Sequence, residues 1–172
     1  MNSEIIKNII RFVLLVLIQV LALKGIQLDY GFLSHGMFFI YPLFIILLPI
    51  NIPRTLLLLL AFVLGISIDI FYDSLGVHAA TTVFLAFVRM YVLRFLEPNQ
   101  GYKTEGSPSA LNLGLVWFVS YASCMLFLHL FIYFSIDAFS FVFIFDIIIK
   151  TILSFIFSII LLIIHQIIFK VN

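Results

Sequence analysis

The chain has 172 residues, 65% of them hydrophobic and 10% charged, with a mean hydropathy of +1.29. Soluble domains run at about 45–50% apolar and about 25% charged, so a soluble globular protein is excluded. A net charge of +1 leaves no basic surplus for nucleic-acid phosphates, and the single cysteine, Cys124, excludes an intrachain disulfide or a multi-cysteine metal site.

A transmembrane helix needs about 20 residues, so six of them use about 120 and leave about 50 for tails and connections. The expected fold is therefore all-α, a polytopic membrane protein built as a six-helix transmembrane bundle. Residues 1–172 should form a single integral membrane domain, with no soluble domain.

The first span, residues 9–23, follows a short head carrying Lys7 and Arg11. No small-x-small cleavage site follows it, so it reads as a retained helix rather than a signal peptide. The second, residues 36–50, is short and interrupted by Pro42 and Pro49. Proline removes a backbone donor, which predicts a kinked, tilted or only partly spanning element. Asn51-Ile52-Pro53-Arg54 is a turn, with Pro53 suited to the first position of a third helix over 54–73. Residues 74–76 break the pattern, and a fourth helix follows over 77–96. The polar stretch 97–110 reads as an exposed loop. A fifth helix is expected over 111–134, a turn over 135–140, and a sixth helix over 141–169, long enough to tilt or project.

Basic residues set the orientation. With the amino terminus in the cytoplasm, Lys7, Arg11, Arg54, Arg89, Arg94, Lys103 and Lys170 fall inside, and only Lys24 and Lys150 fall outside. Both termini are then cytoplasmic. The acids distribute the other way, with Glu4, Glu97 and Glu105 inside and Asp29, Asp69, Asp73, Asp137 and Asp146 outside. The near-neutral total thus hides +4 on one side against −3 on the other.

Charges within spans are costly, about 2.5–3.5 kcal/mol each on insertion scales, and usually face protein. On the third helix Ala61, Gly65, Asp69 and Asp73 recur every fourth position, within an arc of about 120°. Ala61 and Gly65 form a small-xxx-small pair that admits a neighbouring backbone, and Asp69 is the deeper, more constrained acid. On the sixth, Asp146 and Lys150 are in the acid-first i, i+4 order of a helical ion pair, with Thr151, Ser154, Ser158 and His165 on the same broad face. Equal depth also allows an Asp69–Lys150 contact. On the fourth, His78, Thr82, Ala86 and Arg89 share a face, with Arg89 placed to snorkel to the cytoplasmic surface. His78 reads as a cap or packing group. His35, His129 and His165 are scattered without metal spacing. Trp117 reads as an interfacial anchor, and Cys124 as an inert small residue in a packed helix. No nucleophile, phosphate-loop or metalloprotease motif is present, so no catalytic residue, cofactor or metal is expected.

The third-to-fourth junction reads Gly65-Ile66-Ser67-Ile68-Asp69-Ile70-Phe71-Tyr72-Asp73-Ser74-Leu75-Gly76-Val77-His78-Ala79. This resembles the hallmark of the rod shape-determining protein MreD family, a G-x-x-x-D helix end followed by L-G-x-H-A. The resemblance implies a non-enzymatic scaffold subunit of the bacterial cell-elongation machinery, which builds peptidoglycan from the inner membrane. Its implied partners are MreC first, then MreB and the RodA–penicillin-binding-protein synthase, within membrane lipids. Gly65, Asp69, Gly76 and His78 would shape the helix corner. The family's fold is thought similar to vitamin-binding subunits of energy-coupling-factor transporters, which supplies a second reading. Ala22 alone in the first helix is a poor match to the alanine-xxx-alanine docking pattern of those subunits.

Overall fold

In the computed structural model, residues 2–26, 31–74, 76–102, 106–139 and 141–169 are described. The expectations placed on Asp29, Leu75, Lys103, Glu105 and Lys170, and on the side chain of Glu4, lie outside the described residues. Among the described residues, five helices are long and apolar enough to cross a membrane, where six were expected. Among the described residues there is no strand.

The first crossing is helix α1 (Asn2–Leu17), which continues into a π-helical turn over Ile18–Leu23. Its wider winding is closed by the Lys24 amide on the Gln19 carbonyl at 2.9 Å, and it carries the Gln19 side chain into the bundle, 1% exposed.

The missing sixth helix is residues 36–49. Extended backbone over 36–40 turns at 41–42 into α2 (Leu43–Leu47), only five residues long, which starts just after Pro42 and stops just before Pro49. Proline supplies no N–H for an intrahelical bond and disfavours helix in the residue before it, so the two prolines fence this element to little more than one turn. At about 3.3 Å per extended residue and about 1.5 Å per helical one, the segment still reaches about 30 Å, the thickness of a bilayer core. Its anchors fix its direction. Phe38 is held by Gln19 near the far end of α1, and the Leu47 carbonyl by Arg11, eight positions nearer the amino terminus. The segment therefore runs antiparallel to α1, and its core residues Tyr41, Leu43, Ile45, Ile46 and Leu47 are wholly buried.

Helices α3 (Arg54–Tyr72) and α4 (Val77–Phe95) form the tightest antiparallel pair, with Pro53 one position earlier than expected, at the N-cap of α3. The stretch after α4 is less exposed than its polarity suggests. Ser107 and Ser109 are buried, and the Gly106 carbonyl accepts from the Ile50 amide at 3.2 Å. The short α5 (Ala110–Leu113) is separated from α6 (Leu115–Ala138) by Gly114, whose φ of 88° interrupts the expected continuous helix. Helix α6 then runs through the expected turn at 135–138. One 3₁₀ turn (Phe141–Phe143) leads into α7 (Ile144–Phe169).

The bundle thus has two ends. At the corner end α3 turns into α4 and α6 into α7. At the loop end lie residues 97–102 and 106–109, the start of α1 and the close of α7, where Gln166 accepts from the Ala110 amide at 3.2 Å. Burial in the loop also pushes the Tyr102 phenol up to about 12, so it stays a donor, to the Leu93 carbonyl at 2.5 Å. Trp117, placed at the same end, donates to the Leu96 carbonyl at 2.8 Å. Cys124, expected inside a packed helix, is exposed. Its neighbours Ala122 and Met125 take the buried face of α6 instead.

Candidate functional site

The polar residues of the corner end converge on Asp69. Gly76, the residue before α4, has φ 84° and no side chain to accept from the first amides of that helix. Asp69 supplies the acceptor from the neighbouring helix. Its Oδ1 accepts from the His78 amide at 3.0 Å and its Oδ2 from the Ala79 amide at 2.9 Å. Oδ1 also accepts from Ser74 Oγ at 2.6 Å and lies 3.0 Å from His78 Nδ1. A carboxylate at a helix N-terminus satisfies otherwise orphaned donors and complements the helix dipole. Asp69 is thus an N-cap delivered in trans, and Asp73, left-handed at φ 52°, is the exposed C-cap of α3.

One turn below, the two backbones touch. A Cβ on Gly65 would lie 2.3 Å from Ala79 Cα and 2.5 Å from Thr82 Oγ1. Thr82 Oγ1 in turn lies 2.8 Å from the Ala61 carbonyl across the interface. Ala61, Gly65, Asp69, Gly76 and His78 therefore serve one joint, and no side chain larger than hydrogen fits at its centre.

Beyond the joint, the His78 ring is fully buried among Tyr41, Tyr72 and Tyr133, with centroids 5.7, 4.9 and 4.9 Å away. Tyr41 Oη is hydrogen-bonded to His129 Nε2 at 2.8 Å. His129, set apart in the sequence as one of several scattered histidines, thus belongs to the same cluster. Among the described residues no three His, Cys, Asp or Glu converge to hold a metal ion.

A second set of interior polar groups serves the backbone of residues 36–49. Ser154 and Ser158 on α7 each accept an amide, from Met37 and Phe39, both at 2.9 Å. The Gln19 carboxamide pairs like a neighbouring strand, accepting from the Ile40 amide and donating to the Phe38 carbonyl, both at 2.9 Å. At the loop end, Arg89 donates to the Leu48 carbonyl, to Pro49 O at 3.3 Å and to Tyr121 Oη at 3.0 Å. Non-helical backbone survives at membrane depth only where protein serves its polar groups. This demand overturns the snorkelling expected of Arg89, which is 1% exposed. The freed carbonyls at the end of α2 hold the guanidinium inside. Ser158→Ala should strand the Phe39 amide and lower stability by about 1–3 kcal/mol, read as a lower midpoint of thermal unfolding in detergent.

Asp146 and Lys150 do pair, at 3.0 Å, on a partly exposed face. The Asp69–Lys150 contact is not formed, because Asp69 already faces Ser74, His78 and the α4 amides. Sequence reasoning missed Gln19, Tyr41 and Tyr121. Gln19 had a visible signal, as a lone amide in an apolar run. The serines on α7 were visible too, but grouped with Asp146 and Lys150 rather than with a backbone.

Ser74, His78 and Asp69 have the side-chain types of a hydrolytic triad without its layout. A relay needs nucleophile and carboxylate on opposite ring nitrogens, whereas Ser74 and Asp69 both approach Nδ1, at 2.8 and 3.0 Å. No family model matches the chain, and neither a curated protein nor a solved structure does.

Proposed function

We propose that the chain is a non-enzymatic membrane scaffold of the bacterial cell-elongation machinery, as its resemblance to the MreD family implies. The observation that supports this reading is the joint itself. Gly65, Asp69, Gly76 and His78, the residues of the resemblance, meet in one structural corner and shape it. The serine, glutamine and arginine side chains inside the bundle are engaged with its own backbone, as suits a rigid platform for partner helices. On this reading the protein sits in the inner membrane with both termini cytoplasmic and the corner end outward. The bitopic MreC is its first partner, with MreB and the RodA–penicillin-binding-protein synthase in the wider assembly.

The test is a pull-down in mild detergent from cells making a tagged copy, joined to depletion of the untagged protein. MreC in the eluate and rounding of depleted cells are the expected results. Cells that stay rod-shaped would overturn this reading, and an ATPase module in the eluate would replace it with the transporter one.

A further inference from the structure

Two cations stand on the outer face of the α3–α4 pair, at its loop end. Arg54 opens α3 and Arg94 lies in the last turn of α4, so both mark the boundary of membrane-spanning helices. Both are exposed. The Arg54 guanidinium rests over the Phe87 ring, 4.9 Å from its centroid, and the Tyr91 ring lies 5.7 Å from that of Phe87. At 100° per residue, Phe87, Tyr91 and Arg94 fall within an arc of about 60°. The contact with Phe87 therefore draws Arg54 across from α3 onto the face of α4 that carries Arg94.

The protein does not neutralise this pair. Among the described residues no carboxylate pairs with Arg54 or Arg94, and neither guanidinium donates a hydrogen bond. The acid nearest in sequence, Glu97, is turned into its own loop, with Oε1 3.8 Å from where a Cβ on Gly101 would lie. A guanidinium does not shed its proton, so at the edge of hydrocarbon it calls for an outside counter-charge. Its planar fork of donors matches the oxygens of a phosphate, and the aromatic ring beneath Arg54 leaves the edge of that fork open.

The same face is apolar toward the middle of the bilayer, where Phe87 and Met90 are exposed. A ligand that meets both halves is an amphiphile with an anionic headgroup. A zwitterionic headgroup carries its own cation to the two guanidiniums. The loop end as a whole favours an anion, with Lys7, Arg11, Arg54 and Arg94 against Glu97 among the described residues.

We propose that this face is a binding site for an anionic phospholipid, whose phosphate is taken by Arg54 and Arg94 and whose acyl chains lie along Phe87 and Met90. The site needs only that α3 and α4 span the membrane, and holds whether or not the chain is a scaffold.

The test is native mass spectrometry of the full-length protein in detergent, titrated with phosphatidylglycerol or with phosphatidylcholine of the same acyl chains. The anionic lipid should bind about thirtyfold more tightly, from about fivefold for each arginine. Arg54→Gln and Arg94→Gln should each remove about fivefold of that preference, and the double variant nearly all of it. Lys7→Gln takes one charge from the same end but not from this face, and should leave the preference as it is. Equal affinity for the two lipids would overturn the proposal. So would a loss in Lys7→Gln as large as that in Arg54→Gln, which would mean diffuse attraction to a basic end. Soluble glycerol phosphate that displaces the lipid at equal concentration would overturn it too, since the acyl chains would then contribute nothing.

Discussion

Replacing Asp69 with alanine is expected to cost about 3–5 kcal/mol of stability, as for other buried charged hydrogen-bond acceptors removed without their partners. The loss has two parts. The amides of His78 and Ala79 keep their positions in the first turn of α4 but lose their only acceptors, and no water reaches them readily at a residue 6% exposed. The His78 ring loses its partner at the same time. Asparagine keeps one acceptor oxygen and so should recover part of the loss. Equilibrium unfolding in detergent, followed by helical circular dichroism, separates the outcomes. A near-wild-type Asp69→Ala protein would mean that the cap is not what holds α4 to α3.

Gly65→Ala is the second change with a large expected effect. Its Cβ would meet Ala79 Cα at 2.3 Å and Thr82 Oγ1 at 2.5 Å, well inside van der Waals contact. Threonine can rotate, but a Cα cannot, and Ala79 is also pinned through its amide to Asp69. The helices must separate, which breaks the approach of Thr82 to the Ala61 carbonyl. We expect a loss of about 3 kcal/mol, the upper part of the range for overpacked sites. Gly65→Ala and Asp69→Ala open the same joint, so the double variant should lose less than the sum of the singles. Additive losses would show that the close approach and the cap act separately.

These two residues also show where the sequence was informative. Helices α3 and α4 lie within one residue of their expected ends, because Pro53, Gly65, Asp69 and Gly76 signal locally what they do locally. Gly65 faces a helix that follows within one turn of chain, and Asp69 caps a helix that begins eight residues later. The second segment was harder to read. Pro42 and Pro49 marked the break in helix, but what replaces the helix depends on Ser154 and Ser158, whose partners lie 117 and 119 positions away. No local period encodes such a pairing. Arg89 was misplaced for the same reason, since its acceptors exist only because the distant segment is unwound and leaves carbonyls open.

The extended segment has a consequence for how the chain is assembled. Helices α1, α3, α4, α6 and α7 carry their own hydrogen bonds and can enter a bilayer one at a time, in the order they leave the ribosome. Residues 36–40 cannot, because the amides of Met37 and Phe39 have no acceptor in lipid until Ser154 and Ser158 arrive. This early segment is therefore the last to find its partners. Until α7 emerges, the stretch must wait at the membrane surface or in the insertion machinery, and the final helix closes the bundle by drawing an earlier piece of chain into place.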